Sequence, residues 1–153
     1  MVDDQKDFTE LCALLSANAV DYVTVGGYAL AFHGAPRYTN DLDLLVGPTD
    51  DNVSKLLTSL IAFGFGDAGV TFDDLLSGQK ILQLGRPPVQ VHLMTAITGV
   101  SWETAWTSKE AGEYGSCPVW YLGRDAFLSN KRAAGRAKDL ADLHALRSPK
   151  PRS

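Results

Sequence analysis

The sequence predicts an α+β domain: a small mixed β-sheet with helices packed mainly on one face and a pair of helices at the C-terminal end. Three observations lead there. Segments with apolar residues at helical spacing are interleaved with short runs rich in β-favouring side chains, from about residue 6 to residue 146. No internal repeat and no linker-like stretch interrupts them. The chain has 153 residues, 45% of them apolar, which suits one compact domain able to bury roughly two thirds of its unfolded surface. Residues 1–147 form that domain, and 148–153, SPKPRS, read as a flexible basic tail.

The elements follow in order. Phe8, Leu11, Cys12 and Leu15 recur every three or four residues and predict an amphipathic helix over 6–17. Residues 20–25 carry Tyr22, Val23, Thr24 and Val25 and read as a short strand, ended by Gly26-Gly27. Tyr28 to His33 reads as a short helix, stopped by Gly34 and Pro36. Leu42 to Val46 is a second strand. A turn, Gly47-Pro48-Thr49-Asp50, then offers Thr49 or Asp50 as the cap of a helix over 51–63, with Val53, Leu56, Leu57, Leu60 and Ile61 on one face. Residues 64–69 are a loop and 72–76 a helical turn. Strands over 80–84 and 89–94 flank Gly85-Arg86-Pro87-Pro88 as a hairpin with a longer loop. Trp102 to Ala111 reads as a helix capped by Ser101, and Pro118 to Leu122 as another strand. Two helices, 124–134 and 137–146, are separated by Gly135.

Composition excludes several classes. Cys12 and Cys117 show no CxxC spacing, which argues against a disulfide framework or a structural zinc site. The start, MVDDQKDF, lacks the apolar region of a secretory leader. The longest apolar stretch, around Val23 to Phe32, is broken by two glycines and too short to span a bilayer. A cytoplasmic protein without membrane contact is expected. The net charge is −4, unevenly placed: residues 131–153 hold seven basic groups against Asp139 and Asp142. A basic end on an acidic body suits polyphosphate or RNA, or simply a solvated helix face.

Three features carry chemistry. Gly26-Gly27 sits between strand and helix, where a backbone without side chains lets a phosphate come close and a helix N-terminus offers unpaired N–H groups. Asp41-Leu42-Asp43 opens the next strand, and alternation puts both carboxylates on one face. Side by side they repel, which a divalent cation relieves; Mg²⁺ takes one or two carboxylates and fills its shell with phosphate oxygens and water. Arg37 and Thr39 lie in the connection just before the acids, where Arg37 could pair with a phosphate or an aspartate.

Together these features, in VGGYALAFHGAPRYTNDLDLLV, resemble the signature of the nucleotidyltransferase superfamily: a hydrophobic residue, Gly, Gly or Ser, a spacer, then D-h-D on a strand. Thirteen residues separate Gly27 from Asp41. The GG…R-x-T-x-D-x-D form looks most like the minimal bacterial branch, which includes abortive-infection and toxin–antitoxin nucleotidyltransferases. NKRAAGRAKDLADLHAL resembles that branch's Lys…Arg-x-Lys-Asp-x-x-Asp-Leu helix pair. The resemblance implies that Gly26 and Gly27, with Arg37 and Thr39, hold a nucleoside triphosphate. Asp41 and Asp43 would bind Mg²⁺ or Mn²⁺, and Lys131 or Lys138 would neutralise phosphate. Asp139 and Asp142 would anchor the helix pair or meet Arg136. The acceptor hydroxyl would belong to RNA, a cognate protein or a small molecule. A homodimer or a partner chain would complete the site.

The pattern departs in one place. The superfamily carries a third acid as h-[DE]-h on a later strand, and the matching segment here is Val91-His92-Leu93. Three roles are open to His92. It is a ligand better suited to Mn²⁺ or Zn²⁺ than to Mg²⁺, a general base, because a free imidazole exchanges its proton near neutrality, or a space-filling side chain in a protein that binds nucleotide without transferring it.

Overall fold

The computed structural model describes residues 4–35, 41–65, 72–77, 81–86 and 89–147. In chain order the elements are α1 (Asp4–Ala17), β1 (Tyr22–Val25), α2 (Gly26–Phe32), β2 (Asp41–Val46), α3 (Asp50–Phe63) and α4 (Phe72–Leu76). Then come β3 (Leu82–Arg86), β4 (Val89–Met94), α5 (Trp102–Thr107), β5 (Glu110–Tyr114), β6 (Cys117–Tyr121), α6 (Arg124–Ala134) and α7 (Ala137–Arg147).

The strands form one mixed sheet in the order β3-β4-β2-β1-β6-β5. β1 runs antiparallel to β2 and parallel to β6, while β2 runs parallel to β4. The outer strands β3 and β5 pair antiparallel with β4 and β6. Side-chain alternation along β2 separates two environments. Leu42, Leu44 and Val46 point to one face, where their register partners include Val91 and Leu93 of β4 and Thr24 and Tyr22 of β1. All of these are buried. They share one core with Phe8, Leu11 and Leu15 of α1 and Val53, Leu56 and Leu60 of α3. Each such side chain contributes roughly 1.5–3 kcal/mol through the water it sheds. The other face of β2 carries Asp41 and Asp43.

α3 is set by local chemistry at both ends. The Thr49 hydroxyl accepts from the Asn52 N–H at 3.2 Å, and Asp50 and Asp51 lie in the first turn, where the helix dipole favours negative charge. Gly64 ends the helix in the left-handed region at φ +108. The buried Asn52 does more than join the cap. Its carbonyl accepts from the Asp21 N–H at 2.7 Å, and its amide donates to the carbonyls of Asp21 (2.9 Å) and Gly47 (3.0 Å). One side chain thereby ties α3 to the start of β1 and the end of β2.

The structure corrects two expectations. The helix that begins at Trp102 stops at Thr107, and residues 110–114 form the edge strand β5. Hydroxyls end the helix by competing for its carbonyls: Thr107 donates to Glu103 (2.9 Å), and Ser108 donates to Thr104 (2.6 Å). Gly115-Ser116 then turns the chain, with Gly115 at φ +58, and Tyr114 pairs with Cys117 across it. The hairpin loop between β3 and β4 is also shorter than expected, because Gly85 and Arg86 remain in the ladder opposite Gln90 and Val89. Among the described residues no helix is long and apolar enough to cross a membrane.

Replacing Asn52 by Ala leaves the Asp21 N–H and the Gly47 carbonyl without this partner, while the Asp21 carbonyl keeps the Gly47 N–H at 3.0 Å. The expected outcome is a loss of roughly 2–4 kcal/mol in urea unfolding. Asn52→Asp, which keeps one acceptor, should lose less.

Candidate active site

Asp41 and Asp43 stand two residues apart on β2, both half-buried, on the face opposite Leu42 and Leu44, where the next residue, Leu45, is again buried. The parallel neighbour β4 places Gln90 beside Asp41 and His92 beside Asp43. His92 Nδ1 lies 2.9 Å from Asp43 Oδ1. On the other side, β1 sets Val25 opposite Asp43, and the chain turns immediately afterwards at Gly26, φ +70. A β-carbon on Gly26 would overlap the Asp43 carboxylate. Position 26 therefore excludes side chains twice, by its backbone angle and by its neighbour. The two glycines open α2 directly instead of forming a turn ahead of it. Gly27 is buried.

Charge in this pocket is unbalanced. Burial raises the Asp43 carboxyl above its ordinary range, and the negative charge of Asp41 pushes the same way. The charge and hydrogen bond of His92, and the more distant Lys138, pull it back without cancelling the rise. Extra positive charge would complete the site.

The lysine that acts on Asp43 comes from α7, and a buried ion-pair network holds that helix. Lys131 on α6 reaches Asp139 at 3.2 Å and Asp142 at 3.1 Å. Arg136, in the bend between the helices, gives Asp139 its backbone N–H (3.1 Å) and its Nε (2.7 Å). Arg124 adds a staple by donating to the carbonyls of His33 (3.2 Å) and Leu146 (3.0 Å), which ties the end of α2 to α7. His33 lies against this junction, its Nε2 2.7 Å from the Leu122 carbonyl oxygen. No motif in the sequence marks Arg124 or His33 for these roles; both act through backbone carbonyls that only the fold brings within reach.

The structure thus gathers Gly26, Gly27, Asp41, Asp43 and His92 in one place, with Lys138 close enough to act on Asp43. Lys131 engages two carboxylates instead. Arg37 and Thr39 lie outside the described residues. Among the described residues no group of three or more His, Cys, Asp and Glu forms a cage for a metal ion. The donor set that is present, two adjacent carboxylates, suits a hard divalent cation that completes its shell with phosphate oxygens and water.

No protein-family model matches the sequence, and no curated protein matches it. Solved structures do share its architecture. An antigenic nucleotidyltransferase-like protein from Paracoccidioides brasiliensis superposes with a TM-score of 0.58 at 15% identity, covering 97% of this chain and 79% of that one. The lincosamide antibiotic adenylyltransferase LnuA, with lincomycin bound, gives 0.60 at 13% identity over 94% of this chain and 96% of its own. The antibiotic-resistance factor ANT(2'')-Ia gives 0.59 at 13%, over 93% and 81%. At such identities the likeness is one of fold, and the fold is nucleotidyltransferase-like.

The Asp139 network makes stability depend on acid. Burial alone would raise this carboxyl, but hydrogen bonds from Arg136 and Lys131 outweigh it and hold it at about 2. An unfolded Asp titrates near 3.9. The carboxylate therefore adds its full stability above about pH 4 and loses it as pH falls toward 2, by on the order of 2 kcal/mol. Urea unfolding between pH 6 and pH 2 should show this slope, and Asp139→Asn should flatten it while lowering stability at neutral pH. An unchanged slope in that variant would assign the acid sensitivity to other groups.

Proposed function

We propose that this chain is a metal-dependent nucleotidyltransferase that moves a nucleoside monophosphate from a nucleoside triphosphate to a hydroxyl acceptor. One observation carries the proposal: Asp41 and Asp43 stand together on an open sheet face, and the backbone of Gly26 sits directly against the second carboxylate. Gly26 and Gly27 carry no side chains of their own that would keep a phosphate chain from the backbone beside Asp43. Lys138 adds positive charge that favours the ionised Asp43, and His92 holds Asp43 in place through its hydrogen bond. Mg²⁺ or Mn²⁺, bound by Asp41 and Asp43, would supply the charge that this pocket lacks. In the reaction the acceptor oxygen forms a bond to the α-phosphorus, the bond to the β-phosphate oxygen breaks, and pyrophosphate leaves. The protein's share is positioning and charge compensation.

Three acceptor classes fit. The basic C-terminal segment and the motif resemblance to toxin–antitoxin enzymes support RNA or a cognate protein, with a second copy of the chain closing the acceptor side. Two fold neighbours, an antibiotic adenylyltransferase and an antibiotic-resistance factor, support a small molecule. A second reading rests on His92. An imidazole stands beside Asp43 at the place of the family's third acid and occupies one of its oxygens. On that reading the chain is a nucleotide- or RNA-binding module without transferase activity.

Label transfer from α-labelled ATP, CTP, GTP and UTP, with Mg²⁺ or Mn²⁺ and with RNA or lysate as acceptor, separates the two. The transferase predicts labelled product that falls about a hundredfold or more in Asp43→Ala, with the fold retained by circular dichroism. Transfer that persists at full rate in Asp43→Ala would overturn the assignment of the site. Silence in the parent chain, with transfer gained in His92→Asp, would establish the binding module.

A further inference from the structure

The sheet contains a second recess at the end remote from the acids. β1 and β6 run parallel, and their register pairing is confined to Thr24 opposite Tyr121. Just past it the Leu122 N–H donates to the Thr24 carbonyl at 3.0 Å. Toward Tyr22 and Pro118 the two strands part, and a cavity of about 450 Å³ lies between Val20, Tyr22, Val119 and the indoles of Trp106 and Trp120. That volume is typical of small-molecule sites. Tyr22 precedes Val25 by three residues, which puts the recess about 10 Å along the strand from the level of Asp43.

Two features fix the chemistry of an occupant. Asp21 supplies the only charge among the described residues lining the cavity. Its backbone is clamped by Asn52 through both N–H and carbonyl, so the carboxylate has a fixed base. Lys109 already covers the indole pair, its ammonium also donating to the Trp106 carbonyl at 3.0 Å, and it repels a second positive charge there, so the charge of an occupant belongs at Asp21 and only its apolar body meets the rings. The Lys109 ammonium lies 3.8 Å from the ring centre of Trp106 and 4.6 Å from that of Trp120, drawn by the negative faces of the rings. We propose that this recess binds a small organic cation with a flat apolar body, its charge toward Asp21 and its body among Tyr22, Val119 and the two indoles. The site is separate from the proposed nucleotide site and does not depend on its chemistry.

The chain provides its own reporter. Its three tryptophans form one cluster: Trp102 and Trp106 stack at 5.4 Å, and Trp106 and Trp120 meet edge-on at 6.4 Å. Intrinsic emission therefore reads this end of the sheet. Phenethylammonium should change the emission saturably, while its anionic and neutral counterparts, phenylacetate and 2-phenylethanol, should bind more weakly. Asp21→Asn should weaken phenethylammonium binding by up to roughly fivefold, the contribution of one exposed ion pair. Ala111→Leu, which adds bulk to the cavity wall from the exposed edge strand, should remove the response at an unchanged melting temperature. Asp43→Ala should keep it. The absence of a saturable change, equal binding of phenylacetate, or full binding in both Asp21→Asn and Ala111→Leu would overturn the proposal.

Discussion

Two carboxylates on alternate residues of one strand, half-buried on the same face, repel each other and resist the loss of water. Much of the molecule around Asp41 and Asp43 is arranged about that constraint. β4 brings an imidazole to Asp43 on one side, and β1 brings a backbone bare of side chains on the other. α7 contributes a lysine from further away. The carboxyl of Asp43 still sits above its ordinary range, so the protein stops short of neutralising its own acids. A site that remains short of positive charge favours a divalent cation, which two adjacent carboxylates can hold while other oxygens complete its shell.

Seen this way, the C-terminal helix pair serves the acids at one remove. The ammonium of Lys131 is consumed by Asp139 and Asp142, and Asp139 also takes three hydrogen bonds from Arg136. A buried network of this kind adds little net stability over well-packed apolar residues, because the desolvation of each ion opposes the attraction between them. Its geometric effect is larger. It fixes the angle at Gly135, where α6 ends in the left-handed conformation, and so fixes where α7 begins. Lys138 lies one residue before the carboxylate at the centre of that network. The motif lysines therefore divide the work: one builds the joint, and the other delivers charge from it.

The sequence revealed most where a local rule and the fold agree. Alternation in Asp41-Leu42-Asp43-Leu44 separates acids from core with no tertiary knowledge, and the α1 stripe buries as its spacing requires; on α3, Val53, Leu56 and Leu60 bury, whereas Leu57 is half-buried and Ile61, expected on the same face, is exposed. It revealed less where a contact joins distant segments. Glu110 and Ala111 of β5 read as a helix end and Gly112 to Tyr114 as no element, because a strand of such composition exists only through its partner β6. The Gly115-Ser116 pair between two short runs was the available signal of that hairpin. Lys131 and Lys138 look equivalent in the sequence, and only the packing of α6 on α7 shows that one is sealed among acids. No local pattern announces Arg124, whose partners are carbonyls of His33 and Leu146.

His92 shows how one side chain shapes the requirements of such a site. A carboxylate at this place would add a third negative charge beside two that already repel. The imidazole instead supplies a nitrogen 2.9 Å from an Asp43 oxygen, and its charge and hydrogen bond both lower the cost of ionising that acid. The pocket therefore needs less external positive charge than one with three acids. That oxygen is also held in a fixed direction, because β2 and β4 lock Asp43 and His92 in register. What remains for a cation is Asp41 and the other oxygen of Asp43, the one that lies against Gly26. The imidazole thus leaves the open oxygen of Asp43 on the side of the glycines and away from β4.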